Sequence, residues 1–210
     1  MTDQRVVTIY FDYLCPFAWR GAELVELLGD ETDFAFAWRH FSLYQHHNQN
    51  QTDHNGWQLW NERLEPDSEN GGKGLLPFLA SCAARKQGPD LERAFRLGAM
   101  RAHHCEHRPF TLATLCDVAE RAGLHLPSFE RDLADPECRT ALAQEHYRAA
   151  AHDVFGTPTF RFPSGATAYL RLREVPRNAH EASDLFGHYR HLLETYPYLE
   201  TIRRPRAPGN

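Results

Sequence analysis

The residue types best suited to chemistry are gathered in Asp12-Tyr13-Leu14-Cys15-Pro16-Phe17-Ala18-Trp19. A run of β-branched and aromatic residues at 5–11 (RVVTIYF) precedes this segment and predicts a strand. Apolar residues at helical spacing follow at 17–28, and Gly29-Asp30 ends them. Cys15 therefore falls at a helix N-terminus, where unpaired backbone N–H groups and the macrodipole favour an anion. A thiolate is such an anion, so the placement predicts a lowered cysteine pKa and a nucleophilic sulfur. Pro16 suits the first helical turn, where its missing N–H is not needed. Phe17, Trp19 and Trp38 are candidates for an aromatic wall around the sulfur, although core packing accounts for Trp38 more simply. Asp12 and Tyr13 either line the cleft or cap the turn.

A second piece is Phe155-Gly156-Thr157-Pro158-Thr159, directly ahead of another strand-like run. An X-Pro bond in that place suits a tight turn, the cis isomer included. Thr157-Pro158 alone is weak evidence. Its weight comes from where it falls relative to Cys15.

His103 and His107 are four apart and share a helical face, a spacing that metals use. No second cluster supplies further ligands, so no metal is expected, and a helix cap or a cleft lining is the reading for His103. His46, His47 and His54 lie in a polar stretch, 45–56, that reads as exposed loop. Cys82, Cys105, Cys116 and Cys138 each read as small buried hydrophobes, with Cys105 the least improbable partner for Cys15.

The elements that must position these residues follow from periodicity. Residues 34–41 predict a second strand, so the chain opens β-α-β, with parallel pairing and a right-handed crossover. A short helix is expected within 57–64, and loop at 66–74. Helices are expected at 75–86, 91–104, 111–122, 127–133 and 136–152, with Thr111 and Asp135 as N-caps and Gly123 as a C-cap. Strands return at 159–162 and 168–173 around Pro163-Ser164-Gly165, and 180–196 is a last amphipathic helix. The order is β-α-β, a helical block, then β-β-α. Neither flank closes a core alone, so both belong to one sheet with the helices inserted. The expected division is 1–56 with 154–200, a helical insertion at 57–153, and a tail at 201–210.

Composition narrows the function. With 42% hydrophobic and 12% aromatic residues among 210, the chain is globular rather than disordered. A net charge of −5 argues against nucleic-acid binding; the basic Arg203, Arg204 and Arg206 read as a solvated tail. No stretch of about 18 apolar residues exists, so no membrane span is expected. Without a secretory signal, a cytoplasmic protein with mostly reduced thiols is expected, and its five irregularly spaced cysteines are not a disulfide framework.

The strand–Cys15-Pro16-Phe17-Ala18–helix start, the helical insertion, and Gly156-Thr157-Pro158-Thr159-Phe160 before a hairpin and terminal helix resemble the DsbA-like thioredoxin superfamily. The likeness is greatest to its cytoplasmic FrnE-type and mycothiol-dependent nitroreductase-like branch. 2-Hydroxychromene-2-carboxylate isomerases and kappa-class glutathione transferases are more distant. The resemblance runs from about Val6 to Tyr196. It implies an α/β thioredoxin-like fold with a large all-helical insertion, and a cis-proline loop at Thr157-Pro158 facing the active cysteine. It further implies that Pro16, Phe17, Ala18, Thr157 and Pro158 hold a thiol substrate.

One departure limits the reaction. The family's redox motif is Cys-x-x-Cys, and Ala18 stands where the second cysteine would be. Ala18 cannot resolve a mixed disulfide, so a self-contained dithiol cycle is excluded. The expectation is a thiol-disulfide oxidoreductase acting through Cys15 alone. A low-molecular-weight thiol of the glutathione, bacillithiol or mycothiol type is its co-substrate, and no tightly bound cofactor is needed. Two alternatives remain open: a transferase- or isomerase-like enzyme that activates a bound thiol cofactor against an electrophile, and a non-catalytic binding or chaperone-like module for client proteins.

Overall fold

Every second residue of the first strand, β1 (Arg5–Phe11), is fully buried at Val7, Ile9 and Phe11, as a strand at the centre of a sheet requires. The structure is a computed structural model and describes residues 5–29, 31–50 and 56–204. Asp30, His54, Arg206 and the rest of the 201–210 tail beyond 204 lie outside the described residues. β2 (Phe34–His40) pairs parallel to β1, from Arg5 opposite Phe34 to Phe11 opposite His40, with α1 (Pro16–Leu28) as the crossover. β3 (Thr159–Arg161) takes the other side of β1 antiparallel, and β4 (Thr167–Tyr169) pairs antiparallel to β3. The strand order is β2-β1-β3-β4. A chain segment from the far end of the sequence thus lies directly beside the strand that leads into Cys15.

The polar stretch expected to be loop is partly helical. α2 (Leu43–Gln49) carries His46 and His47, starts at Ser42, whose Oγ accepts from the Gln45 N–H at 3.1 Å, and buries Gln45. The Gln45 carboxamide accepts from Leu59 N at 2.7 Å and donates to the Trp57 carbonyl at 3.2 Å. Its two hydrogen bonds hold the loop entering the helical block, and this is why a side chain so polar is inside. The helix expected within 57–64 is one 3-10 turn, Leu59–Asn61.

Five helices fill the middle: α3 (Leu75–Arg85), α4 (Pro89–His104), α5 (Leu112–Arg121), α6 (Leu126–Leu133) and α7 (Pro136–Ala150). Thr111 and Asp135 cap α5 and α7 as their positions predict. α8 (Ala179–Thr195) packs on α1, and its Phe186 ring meets the rings of Phe34, Phe36, Phe160 and Phe162 at 5.7–6.2 Å.

What ties the helical block to the sheet is a buried polar chain. Glu145 of α7, its carboxylate 9% exposed, accepts from the His40 backbone N–H at 2.8 Å and the Arg85 guanidinium at 2.7 Å. The same carboxylate lies 3.0 Å from His40 Nδ1. His40 Nε2 meets Ser81 Oγ at 3.0 Å, and Ser81 donates to Glu92, which pairs with Arg96. Burial opposes ionisation of Glu145, but His40 and Arg85 more than reverse this and hold its carboxyl far below the usual range. Removing one partner of such a pair leaves buried charge uncompensated, at a cost of about 3–5 kcal/mol. Glu145→Gln is therefore expected to lower the unfolding free energy in urea by several kcal/mol. The pH dependence follows in sign. The folded carboxyl titrates below its unfolded value of about 4.3, so its contribution is full above that value and fades as pH falls through it. Wild type should lose more stability than Glu145→Gln between neutral and acid pH. Parallel pH profiles would rule the assignment out.

Candidate active site

Cys15 is the N-cap of α1, with Pro16 at the first helical position and extended backbone (φ −88°, ψ 115°) that suits a cap. Its thiol donates to the Thr157 carbonyl at 3.3 Å, across 142 residues of sequence. The Thr157-Pro158 peptide bond is cis. The two segments singled out in the sequence therefore meet.

Gly21 makes the meeting sterically feasible. An added Cβ there would lie 2.7 Å from Pro158 Cγ and 3.1 Å from Pro158 Cβ. Only a residue without a side chain lets the α1 surface come so close to the proline ring. Sequence reasoning passed over Gly21, since a glycine inside a helical pattern signals nothing about what approaches it.

The charge state of Cys15 reverses the expectation of a lowered pKa. Burial raises it, and Cys15 is only 6% exposed. The Ala18 and Phe17 backbone N–H groups act in the lowering direction but do not compensate, and the Asp12 charge raises it further. Helix placement is present as expected; desolvation outweighs it. Thr157 Oγ1 is itself buried without a hydrogen-bond partner.

Asp12 is a structural cap rather than a cleft residue. Its carboxylate accepts from Leu14 N at 2.9 Å and from Leu43 N at 2.7 Å, which fixes the Cys15 turn to the start of α2. Burial pushes its pKa up to about 6 against those two donors. Tyr13 is also no cleft residue. It is fully buried, edge-on to Phe11, Phe78 and Phe110, because the strand's apolar face continues through it into the helical block. Trp38 packs in the core, with the Arg96 guanidinium 4.0 Å from its ring centroid.

Phe17 and Trp19 remain half-exposed beside the sulfur's helix. The Arg171 guanidinium sits 3.8 Å over Phe17, and Arg20 lies 5.4 Å from Phe17 and 5.7 Å from Trp19. Trp19 stacks on His104 at 5.9 Å, and His104 Nε2 meets the Tyr13 carbonyl at 2.8 Å. Burial lowers the His104 pKa to about 4, so its imidazole is neutral. His103, expected as a helix cap or a cleft lining, stacks on Phe110 at 4.1 Å and meets the Arg108 carbonyl at 2.9 Å. Both histidines line an open hollow with Glu69, His107, Arg108 and Pro109. The residues that sequence reasoning missed here are His104, Arg20 and Arg171; Phe155, quoted with the Thr157-Pro158 segment, is exposed and its ring meets Tyr169 at 5.9 Å. Among the described residues no group of three or more His, Cys, Asp or Glu gathers as a metal site.

Residues 6–169 match the DSBA-like thioredoxin domain. The chain belongs to that family. Solved structures similar to this DSBA-like domain share its fold at low identity. A thioredoxin-like oxidoreductase from Silicibacter pomeroyi is 20% identical, with TM-score 0.58 over 89% of this chain and 86% of that one. The cytosolic disulfide reductase DsbM from Pseudomonas aeruginosa, solved with GSH, is 18% identical, with TM-score 0.59 over 88% and 99%. A 2-hydroxychromene-2-carboxylate isomerase is 17% identical, with TM-score 0.61 over 93% and 100%. In sequence, the domain is 31% identical over 156 residues to the Na(+)/H(+) antiporter NhaA 3 of Salinispora tropica. That match takes in 73% of this chain but only 19% of the antiporter's length. No helix among the described residues is long and apolar enough to cross a membrane.

The contact between Gly21 and Pro158 can be tested by its sign. Gly→Ala inside a helix ordinarily gains about 1 kcal/mol. At Gly187 of α8 an added Cβ meets nothing within 4 Å, so Gly187→Ala should stabilise. At Gly21 overpacking costs about 1–3 kcal/mol, so the same change should destabilise. It should also speed alkylation of Cys15, by displacing the Thr157 carbonyl. Equal stabilisation by the two substitutions in urea melts would refute the constraint.

Proposed function

We propose that this DSBA-like domain is a thiol-disulfide oxidoreductase that works through Cys15 alone, with a low-molecular-weight thiol as resolving partner. The observation that carries the reading is the 3.3 Å contact between Cys15 Sγ and the Thr157 carbonyl. It sets the sulfur beside a backbone segment, Gly156-Thr157, at the rim of the sheet, where an extended thiol substrate has polar groups to pair with. Cys15, once deprotonated, attacks one sulfur of a disulfide, forms a mixed disulfide, and releases the other sulfur as a thiolate. Ala18 offers no second thiol. A small thiol therefore attacks the mixed disulfide, forms a new small disulfide, and returns Cys15 as thiolate.

The small thiol is a co-substrate of the glutathione, bacillithiol or mycothiol type, and not a resident cofactor. The guanidinium groups of Arg171 and Arg20 around Phe17 suit a thiol that carries a carboxylate. Pro16, Phe17, Ala18, Thr157 and Pro158 are the proposed contact residues. A cytoplasmic setting belongs to the proposal, because the cycle consumes reduced thiol. So does the division into a discontinuous thioredoxin-like unit, 1–56 with 154–200, and the helical insertion at 57–153.

A second reading has one observation in its favour. The buried Cys15 keeps its proton and acts as a donor. A thiol that donates could hold the sulfur of a bound thiol cofactor as a thiolate, for attack on an electrophile, in a transferase- or isomerase-like reaction.

Incubation with oxidised glutathione, followed by peptide mapping, distinguishes the two. The oxidoreductase reading expects an adduct on Cys15 that added thiol releases and whose rate of formation keeps climbing above the ordinary cysteine pKa of about 8.5. Cys15→Ser should abolish disulfide reduction. Thiol-conjugation turnover that survives in Cys15→Ser, whose hydroxyl still donates, would favour the second reading and overturn the first.

A further inference from the structure

The end of α4 stands beside the Cys15 turn. His104 Nε2 lies 2.8 Å from the Tyr13 carbonyl, two residues before Cys15. Its ring stacks on Trp19, whose backbone N–H donates to the Cys15 carbonyl at 3.2 Å. The stack is braced from behind. Trp19 Nε1 donates to Glu23 at 3.0 Å, and Arg101, three residues before His104, holds both oxygens of Glu23 at 2.7 Å. His103 meets His104 edge-on, with ring centroids 4.8 Å apart. Phe110, which stacks on His103, donates its N–H to the Glu69 carbonyl at 2.8 Å. These contacts gather Glu69, His103, His104, His107, Arg108 and Pro109 around one open hollow of about 520 Å³, a size that suits part of a small molecule.

The hydrogen-bonding character of the hollow follows from the partners its residues already have. A carbonyl oxygen only accepts, so His104 carries its proton on Nε2. Burial keeps that ring neutral, so Nδ1 is a lone pair, and it has no partner among the described residues. Arg108, the guanidinium of the rim, is already taken, by Asp117 at 2.6 Å and Glu106 at 3.7 Å. The Glu69 carboxylate is exposed and has no hydrogen bond or ion pair among the described residues. An acceptor nitrogen and an unpaired carboxylate on one hollow suit a group that donates and is positive.

We propose that this hollow binds the primary ammonium group of the small thiol that serves Cys15, with the Glu69 carboxylate and His104 Nδ1 as its acceptors. The inference rests on the reading that a small thiol works at Cys15, and it narrows the class of that thiol. Glutathione and bacillithiol carry a free primary amine. In mycothiol every nitrogen is acylated, so it has no ammonium to place there. An ammonium has three N–H donors and satisfies both acceptors at once. The two ends of the thiol are then held by different elements. The hollow at the end of α4 takes the amine, and Arg20 and Arg171 beside Phe17 take the carboxylate.

S-Methylglutathione cannot exchange disulfides and Cys15→Ser cannot form them, so titration calorimetry of this pair reads binding alone. S-Methylglutathione acetylated on its amine should bind about tenfold more weakly, the loss of a charge-assisted hydrogen bond. Adding Glu69→Gln should weaken S-methylglutathione by a similar factor and remove the difference between the two probes. Glu120→Gln, on the exposed side of α5, should change neither. With ¹⁵N-labelled histidine, the His104 Nδ1 resonance should move upfield with S-methylglutathione and stay in place with the acetylated probe. Equal affinity for the two probes, an acetylation penalty that persists in Glu69→Gln, or no binding of S-methylglutathione would overturn the proposal. So would equally tight binding of N-acetyl-lysine methylamide, which would give the hollow to a peptide lysine instead. The oxidoreductase reading fails on a different result, the absence of a glutathione adduct on Cys15 in the wild type.

Discussion

The approach of Pro158 to the face of α1 governs the geometry around Cys15. Two chain segments, 142 residues apart at Cys15 and Thr157, come within hydrogen-bonding distance. They do so because β3 pairs with β1 and because Gly21 presents no Cβ to the proline ring. Sheet pairing alone would bring the segments near; it would not decide how deeply the loop seats. The missing methyl at Gly21 decides that, and it sets the distance between the sulfur and the Thr157 carbonyl. The same approach buries the thiol. Position and reactivity at Cys15 are therefore products of one packing event and cannot be tuned apart.

Two opposed effects meet at that sulfur. The helix terminus supplies the Phe17 and Ala18 N–H groups, which favour a thiolate. The loop that covers the sulfur withdraws water from it, which favours the thiol. Helix-terminus effects amount to roughly 0.3–2 kcal/mol. Desolvation of a fully buried ionisable group reaches several pKa units, each about 1.4 kcal/mol. Burial wins on those magnitudes. A substrate that seats against Thr157 must displace the thiol's hydrogen bond to that carbonyl, and so changes both sides of the balance as it binds.

The sequence carried the fold and the Cys15 site to different depths. Strands, helices and their order were legible, because burial imposes periods of two and 3.6 on the apolar residues. Cys15, Pro16 and Thr157-Pro158 were legible as local chemistry. α2 was missed, since its Gln, His and Asn residues read as loop. Ser42 with Gln45 three residues on is, however, the spacing of a helix start, and that signal was available. His104 was passed over for its neighbour His103, because a one-residue choice on a helix depends on where the next segment, here the Tyr13 carbonyl, lies. The pKa of Cys15 was misjudged for a related reason. The helix terminus is local and readable, whereas the covering loop arrives from elsewhere in the chain.

The surroundings of Cys15 and Cys82 differ in charge. At Cys15 a neutral backbone loop covers the thiol, and the Asp12 carboxylate adds to the cost of a second negative charge. At Cys82, which is partly open to solvent, the neighbouring charges are the cations of Arg85 and Lys86, opposed by the Glu145 carboxylate. Those cations are where they are because the helical block needs them: Arg85 balances Glu145, which anchors β2, and Lys86 ties α3 to the cap of α7. The ion pairs that attach and brace the helical block therefore include the cations beside Cys82. A substitution made to loosen the helical block, such as one at Arg85, changes the environment of Cys82 as well, and stability and thiol environment in this block are coupled through shared side chains.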